Sequence, residues 1–185
     1  MSKRKIVIVG GVAGGMSAAT RARRLSEDAE IIVFEKGPYV SFANCGLPYF
    51  VGGEICDRTQ LLVQTPESLK ARFNLDVRVR SQVLRIVRDQ RHVVVRDLDT
   101  GREYSESYDA LILSPGAVPL KPPIPGIERH NHFMLHDVPD ALAIEAFVAG
   151  HPGARAVVVG GGYIGLEMAE QLSRRELHVT VVEAL

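Results

Sequence analysis

The sequence lacks the residues that mark several classes of protein. It has no tryptophan and only two cysteines among its 185 residues, too few for a disulfide scaffold. The separation of Cys45 from Cys56 fits no short pair of metal ligands. Neither sign of charge predominates, because 22 Lys and Arg balance 22 Asp and Glu. These features favour a reducing, cytoplasmic compartment and argue against a nucleic-acid partner, which requires a cationic surface.

Long hydrophobic runs are also missing. Residues 3–5 are basic and residues 6–9 are apolar, which imitates a secretion signal, but glycines interrupt the run after four residues. No apolar stretch approaches the roughly 18 residues of a membrane span. Hydrophobic residues make up 46% of the chain and charged residues 24%, as in ordinary globular proteins. We therefore expect a folded protein without a membrane partner.

The beginning of the chain has the pattern of a βαβ unit. Residues 6–9 and 31–34 are short apolar runs typical of buried parallel strands, and residues 15–26 have apolar side chains at helical spacing. Residues 110–113 predict a further buried strand. Residues 76–97 alternate in the manner of an antiparallel β-meander inserted beside the parallel sheet.

The later part of the chain repeats the pattern. Closely spaced prolines in residues 119–139 predict a connector, and a helix is expected near residues 140–149. A strand at 156–159, a helix at 164–174 and a strand at 179–182 then form a second βαβ unit. We predict an α/β fold, a doubly wound, Rossmann-like parallel sheet with a meander insertion, followed by the start of a second Rossmann unit. Because that unit stops after its second strand, we expect the sequence to be a fragment of a longer protein.

The second βαβ unit contains a complete dinucleotide-binding motif. Between its strand and its helix stands Gly160-Gly161-Gly162-Tyr163-Ile164-Gly165, the pattern G-x-G-x-x-G. Gly160 permits the tight turn, Gly162 lets a pyrophosphate approach, and Gly165 lets helix and strand pack closely. Glu183 ends the next strand, where a carboxylate binds ribose hydroxyls and repels a 2′-phosphate. The pattern therefore predicts a nicotinamide nucleotide site that prefers NADH to NADPH.

The first βαβ unit carries a weaker form of the motif. In Gly10-Gly11-Val12-Ala13-Gly14-Gly15 the first and last glycines are kept and Val12 replaces the middle one. Glu35 closes the following strand at the ribose position, which favours a second dinucleotide site. Two such sites in one chain are most simply explained by a flavin paired with a nicotinamide.

A cysteine follows the second strand, in Ser41-Phe42-Ala43-Asn44-Cys45-Gly46-Leu47-Pro48-Tyr49. A lone cysteine is commonly a small buried hydrophobic residue. The turn-forming residues before Cys45 instead suggest that it opens a short helix, whose N-terminus favours the reactive thiolate. Phe50 stands where a C-x4-C pair would have its second cysteine, so redox chemistry at Cys45 would use a single thiol.

Together these motifs resemble a known enzyme family. The likeness rests on residues 6–53 with SFANCGLPYFVGG, on LILSPGAVP at residues 111–119 and on VVVGGGYIGLEMAE at residues 157–170. The chain resembles the single-cysteine branch of the FAD-dependent pyridine nucleotide disulfide oxidoreductases and, within it, the coenzyme A disulfide reductases. This implies an enzyme that passes electrons from NAD(P)H through FAD to one cysteine, which reduces coenzyme A disulfide or a related persulfide.

The resemblance also implies a domain order and a set of contacts. Residues 1–118 would be the first segment of an FAD-binding domain, residues 119–150 a connector and helix, and residues 151–185 the truncated start of an NAD(P)H-binding domain. FAD would contact Gly10, Gly15, Glu35, Lys36, Asn44, Cys45, the backbone of Val83, and Ser114, Pro115 and Gly116. Coenzyme A would contact Ser17, Arg21, Arg24, Ser41 and Asn44.

One part of the substrate site has independent support from the sequence. Ser17, Arg21 and Arg24 fall on one helical stripe that can present two guanidinium groups to phosphates. A solvated basic face paired with Asp28 is the alternative. A further basic residue expected from the resemblance is replaced by Phe73, with Arg72 beside it.

Other functions stay open at this point. The related NADH oxidases and peroxidases use a cysteine sulfenic acid and carry a histidine where this chain has Ala13, which weighs against peroxide chemistry. A flavin and a thiol could also act together as a redox sensor without turnover. His130, His132 and His136 lie in the proline-rich connector without a convincing acidic or thiol partner, so we predict no metal site. The resemblance implies a homodimer for the full-length protein.

Overall fold

The computed structural model describes residues 3–184. Its helices and strands are, in chain order, β1 (Lys5–Val9), α1 (Ala13–Leu25), β2 (Glu30–Phe34), α2 (Leu47–Gly52), α3 (Pro66–Phe73), β3 (Asp76–Arg78), β4 (Ser81–Val87), β5 (His92–Asp97), β6 (Glu103–Ser107), β7 (Ala110–Leu113), α4 (Val138–Ala149), β8 (Arg155–Val159), α5 (Tyr163–Arg174) and β9 (His178–Val182).

These elements form two compact units. The first contains the chain up to Phe42 together with Leu62–Ala117. The second contains Ala43–Leu61 together with the chain from Val118 onward. The segment Ala43–Leu61, which we call the cysteine segment, therefore groups with α4 and α5, although its neighbours in sequence belong to the first unit.

A four-stranded parallel sheet, in the order β3-β2-β1-β7, organises the first unit. Val7, Ile8, Ile32 and Val33 have no exposed surface. Ile8 and Val33 belong to the core that includes residues of α1, while Val7 and Ile32 belong to the core shared with the meander. Because successive side chains of a strand point to opposite faces, each short apolar run supplies both cores.

The antiparallel meander consists of β4, β5 and β6. The prediction that it spans residues 76–97 is wrong at both ends. β3 pairs in parallel with β2, with Val77 opposite Val33, because it follows the crossover helix α3. The third strand of the meander is β6, whose sequence Glu-Tyr-Ser-Glu-Ser is too polar for an apolar pattern to reveal.

An ionic cluster joins the parallel sheet to the meander. The guanidinium of Arg78 on β3 lies 5.4 Å from the ring centroid of Phe34 and 5.9 Å from that of Tyr104. It also donates to Glu106 on β6 at 2.8 Å. Lys5 at the start of β1 donates to the same carboxylate group at 2.8 Å. Lys5 and Arg78 of the parallel sheet are thus both bonded to Glu106 of the meander, beside the core that the two sheets share.

The second unit contains the predicted second βαβ arrangement. β8 and β9 pair in parallel, with Val157 opposite Thr180, and α5 connects them. α4 begins with a capping box formed by Asp137 and Asp140, and α2 packs against both α4 and α5. The α/β class, the Rossmann-like parallel sheet and the inserted meander are thereby confirmed. Across residues 3–184, every helix is too short or too polar to cross a membrane.

Candidate nucleotide-binding and thiol sites

The first glycine loop joins β1 to α1 at the carboxyl end of the parallel sheet. Gly10 has a φ of 101°, a conformation that favours glycine. A Cβ on Gly15 would overlap the carbonyl oxygen of Gly10, so only glycine lets the helix start this close to the strand. Val12, the N-cap residue, has no side-chain acceptor, which leaves the first amides of α1 suited to an anion.

Glu35 is held at the mouth of this loop. One of its carboxylate oxygens accepts a hydrogen bond from the amide of Gly11 at 2.7 Å, and the other accepts from the amide of Gly37 at 2.7 Å. From its place after β2, Glu35 was predicted to bind a ribose. Its carboxylate is held by the amide of Gly11 in the glycine loop and by the amide of Gly37.

The second glycine loop has the same construction. Gly160 has a φ of 109°, and a Cβ on Gly165 would overlap the carbonyl oxygen of Gly160. Glu183 accepts a hydrogen bond from the amide of Gly161, as Glu35 does from Gly11. Tyr163 and Ile164 open α5 and are exposed, and Gly162 is its N-cap residue. The sequence pattern predicted the glycines and the carboxylates but not the bonds between them.

The remaining residues predicted for the flavin site occupy several positions. Lys36 is exposed, and Val83 lies on β4 at the irregular pairing between Val83 and Arg85. Ser114 follows β7, and a Cβ on Gly14 would meet its hydroxyl, so Ser114 borders the first glycine loop. Pro115 and Gly116 are exposed beyond it, and Asn44 belongs to the second unit.

Cys45 lies in a single 3-10 turn, Asn44–Gly46, directly before α2. The prediction was that Cys45 opens a short helix; Cys45 instead lies in this turn, two residues before α2, which is six residues long. Cys45 is an exposed residue. The turn is closed by the Gly46 amide donating to the Ala43 carbonyl at 2.9 Å, and the two ends of the cysteine segment are joined by the Ala43 amide donating to the Leu61 carbonyl at 2.8 Å.

An open pocket of about 330 Å³ lies beside α1 in the first unit. Three of the five residues predicted to bind the substrate line it, namely Ser17, Arg24 and Ser41. Arg21 is exposed on α1 but is not among the lining residues, and Asn44 belongs to the second unit. The full lining is Met16, Ser17, Thr20, Arg24, Ser41, Gln64, Leu69, Arg72 and Phe73.

Arg72 is the pocket residue about which the sequence was least informative. It comes from the last turn of α3, and its guanidinium lies 5.3 Å from the ring centroid of Phe73. A cation over an aromatic face is held in place by the ring's negative charge density. Arg72 and Arg24 therefore bring two guanidinium groups to one pocket, from two different helices.

Arg23 has a structural role that its sequence position concealed. Its side chain donates to the carbonyl oxygens of Phe73 at 2.8 Å and Asn74 at 3.0 Å, which ties α1 to the end of α3. This contact helps to hold the helix that carries Arg72 beside the helix that carries Arg24. Within the described part of the chain, no group of three His, Cys, Asp or Glu side chains could hold a metal ion.

The family model for pyridine nucleotide-disulphide oxidoreductase matches residues 4–185. The chain belongs to this family. Among similar pyridine nucleotide-disulphide oxidoreductases is the coenzyme A disulfide reductase of Staphylococcus haemolyticus, 41% identical over 179 residues. The match covers 97% of this chain and 40% of the relative, so the chain spans about 40% of the length of that curated relative. The resemblance drawn from the glycine and cysteine motifs is confirmed.

Solved structures of similar proteins agree with this assignment. The reduced form of Bacillus anthracis CoADR-RHD is 52% identical with a TM-score of 0.95, over 99% of this chain and 33% of that one. The NAD-dependent persulfide reductase of A. fulgidus is 38% identical with a TM-score of 0.91, over 96% and 33%. The water-forming NADH oxidase of Lactobacillus brevis, solved with NADH, is 32% identical with a TM-score of 0.91, over 99% and 40%.

Proposed function

We propose that the protein is an FAD-dependent oxidoreductase that passes electrons from NADH to Cys45 and uses this thiol to reduce coenzyme A disulfide or a coenzyme A persulfide. The observation that carries the proposal is the repeated loop. Each of two glycine loops has a carboxylate, Glu35 or Glu183, bonded to its second glycine, and the same chain presents an exposed cysteine. Two nucleotide sites and one thiol are the parts that such an enzyme requires.

The first loop fits FAD. A Cβ on Gly10 or on Gly15 would strike backbone atoms, so the turn is as tight as a dinucleotide loop requires. The amides at the start of α1 would bind the diphosphate, and Glu35 would bind the ribose. When bound, FAD supplies a two-electron carrier between a nicotinamide and a thiol.

The second loop would bind the nicotinamide nucleotide. Among the described residues other than its chain neighbours, none has an atom within 4 Å of the place where a Cβ of Gly162 would stand, which leaves room for a pyrophosphate at the start of α5. Glu183 would bind the ribose hydroxyls, and its negative charge would repel the 2′-phosphate of NADPH. This supports a preference for NADH.

Cys45 would act as the nucleophile. Its thiolate attacks one sulfur of coenzyme A disulfide, the substrate S–S bond breaks, and one coenzyme A leaves as a thiolate that takes up a proton. Cys45 then holds the other coenzyme A in a mixed disulfide. Two electrons and a proton that originate from NADH and solvent reduce this bond, which releases the second coenzyme A and restores the Cys45 thiolate.

The pocket beside α1 supports coenzyme A as the substrate carrier. Arg24 and Arg72 supply two cationic groups suited to phosphate, and Ser17 and Ser41 supply hydroxyl donors. A substrate such as dioxygen or peroxide needs none of these groups. NADH oxidation by dioxygen is the second candidate, because a water-forming NADH oxidase is among the similar proteins.

The experiment that tests the proposal uses the full-length protein with its bound flavin. We expect NADH to reduce the flavin faster than NADPH does, and we expect steady NADH oxidation when coenzyme A disulfide is added. Cys45→Ser should abolish the second reaction and leave the first. A protein without flavin absorbance, or NADH turnover that depends on dioxygen and not on the disulfide, would refute the proposal.

A further inference from the structure

The cysteine segment is held in the second unit by the packing of α2 against α4 and α5. α2 is six residues long, and its buried side chains include Leu47, Phe50 and Val51. α2 packs against both α4 and α5. A helix this short is not stable alone, so its packing against these two helices decides where the segment lies. Cys45 stands two residues before this helix.

A polar cluster reinforces this packing at the end of α2. Gln171 of α5 is only 1% exposed, and its amide nitrogen donates to a carboxylate oxygen of Glu54 at 3.0 Å. Arg174, one turn further along α5, donates to the same oxygen. A Cβ on Gly52 would overlap the amide oxygen of Gln171, so the absence of a side chain at Gly52 admits the amide. We call Gly52, Glu54, Gln171 and Arg174 the α2–α5 clamp.

The clamp carries a cost that packing alone does not explain. Among the described residues, the amide oxygen of Gln171 has no hydrogen-bond donor although it is buried. A buried acceptor without a partner destabilises a protein, and an apolar side chain of similar size would avoid the loss. What Gln171 provides that an apolar residue cannot is the bond to Glu54.

We propose that Glu54 and Gln171 are positioning residues for the Cys45 thiol, because they fix the cysteine segment to the helix that begins at the nicotinamide-binding glycine loop. The proposal rests on the proposed function for the redox role of Cys45. Neither residue is expected to touch substrate or cofactor. Their effect on catalysis would be transmitted through α2, whose C-terminal carbonyl at Val51 also accepts from Arg175 at 3.4 Å.

The test compares three variants of the full-length flavoprotein. Glu54→Ala removes the acceptor, Glu54→Gln keeps an amide oxygen in its place, and Gln171→Met removes the polar group while filling the space. We expect E54A and Q171M to lower kcat for coenzyme A disulfide about fivefold or more while leaving the rate of flavin reduction by NADH unchanged. E54Q should retain most of the activity, and Q171M should melt no lower than the parent protein.

A second readout needs no substrate. In a Cys56→Ser background, the alkylation rate of Cys45 by iodoacetamide, followed by mass spectrometry, should change about threefold or more in E54A and Q171M. The matched control is Glu170→Ala, which removes a carboxylate from the same helix: Glu170 accepts from one guanidinium nitrogen of Arg174 at 3.1 Å, while the other terminal nitrogen of Arg174 donates to Glu54. E170A should behave as the parent in both measurements.

Several results would overturn the clamp. One is an E54A variant with unchanged kcat and unchanged alkylation rate, and another is an E54Q variant as impaired as E54A. A third is a decrease of kcat that is proportional to the decreases of the melting temperature and of the rate of flavin reduction, which would indicate general destabilisation. If the parent protein itself fails to reduce coenzyme A disulfide, the proposed function is refuted, and the alkylation rates alone decide whether the clamp positions Cys45.

Discussion

Removing the guanidinium of Arg72 is the sharpest test of the pocket beside α1. Arg72 and Arg24 line this pocket together, whereas Arg21 does not. We expect Arg72→Ala and Arg24→Ala each to raise KM for coenzyme A disulfide, and Arg21→Ala to raise it less. Phe73 should keep its place in the core next to α1, so R72A should fold normally.

The size of the effect follows from the exposure of these side chains. A charge-assisted hydrogen bond contributes about 1.5–3 kcal/mol. Arg24 and Arg72 are both exposed, so solvent and salt weaken the attraction and the lower end of the range applies. A loss of about 1.4 kcal/mol corresponds to a tenfold change. Each variant should therefore raise KM roughly tenfold at low salt and less at high salt.

The assay uses two disulfides that share their reactive end. Coenzyme A disulfide carries phosphates, whereas the disulfide of pantetheine carries none, so R72A should change KM only for the first. Arg88→Ala serves as the control, because Arg88 is an exposed arginine at the turn between β4 and β5. An unchanged KM for coenzyme A disulfide in R72A, or an equal rise for the pantetheine disulfide, would show that Arg72 does not bind the nucleotide part.

Three further predictions concern other sites. Gly165→Ala should raise KM for NADH at least severalfold, because the added Cβ overlaps the Gly160 carbonyl oxygen and distorts the second glycine loop, while the variant keeps its full content of flavin. Normal NADH kinetics would contradict this. If Glu183 binds the ribose as proposed, Glu183→Gln should lower the ratio of kcat/KM for NADH to kcat/KM for NADPH, since it removes a charge that would repel a 2′-phosphate; an unchanged ratio would place the ribose elsewhere. The hydrogen bond from Lys5 to Glu106 raises the pKa of Lys5 above its usual 10.5. The charged Lys5 therefore stabilises the fold at neutral pH, and this stabilisation is lost as the pH rises through the raised pKa. Lys5→Met should therefore lower the melting temperature at pH 8 by a few degrees, and this difference should shrink as the pH rises through the raised pKa of Lys5; a difference independent of pH would refute the role of this charge.

The parts of the fold that could be predicted are those governed by local pattern. β1 and β2 are buried on both faces, so their apolar runs were unmistakable, and the glycines at positions 10 and 160 mark turns that only glycine readily adopts. β6 escaped detection because one face of a meander edge strand is solvated and its residues are mostly polar. The assignment of β3 to the parallel sheet depends on pairing with β2, which is not a local property of the sequence.

The candidate sites divide in the same way. The proximity of Ser17 and Arg24 could be predicted because they share one helix and helical spacing places them together. Arg72 could not, because it reaches the pocket from α3, and the contact that holds α3 in place comes from Arg23 through backbone carbonyls. Such carbonyls carry no sequence signal. The bond between Gln171 and Glu54 likewise joins residues more than a hundred positions apart.

The division of the chain into compact units has a consequence for protein engineering. The polypeptide passes between the units at residues 42–43, 61–62 and 117–118, so neither unit is a continuous stretch of sequence. A cut near residue 118 would yield a piece that retains the cysteine segment but has lost α4 and α5, the two helices against which α2 packs. An exchange of the chain after residue 118 for the same portion of a related protein would therefore have to include the cysteine segment as well, or redesign the helix surfaces against which α2 packs.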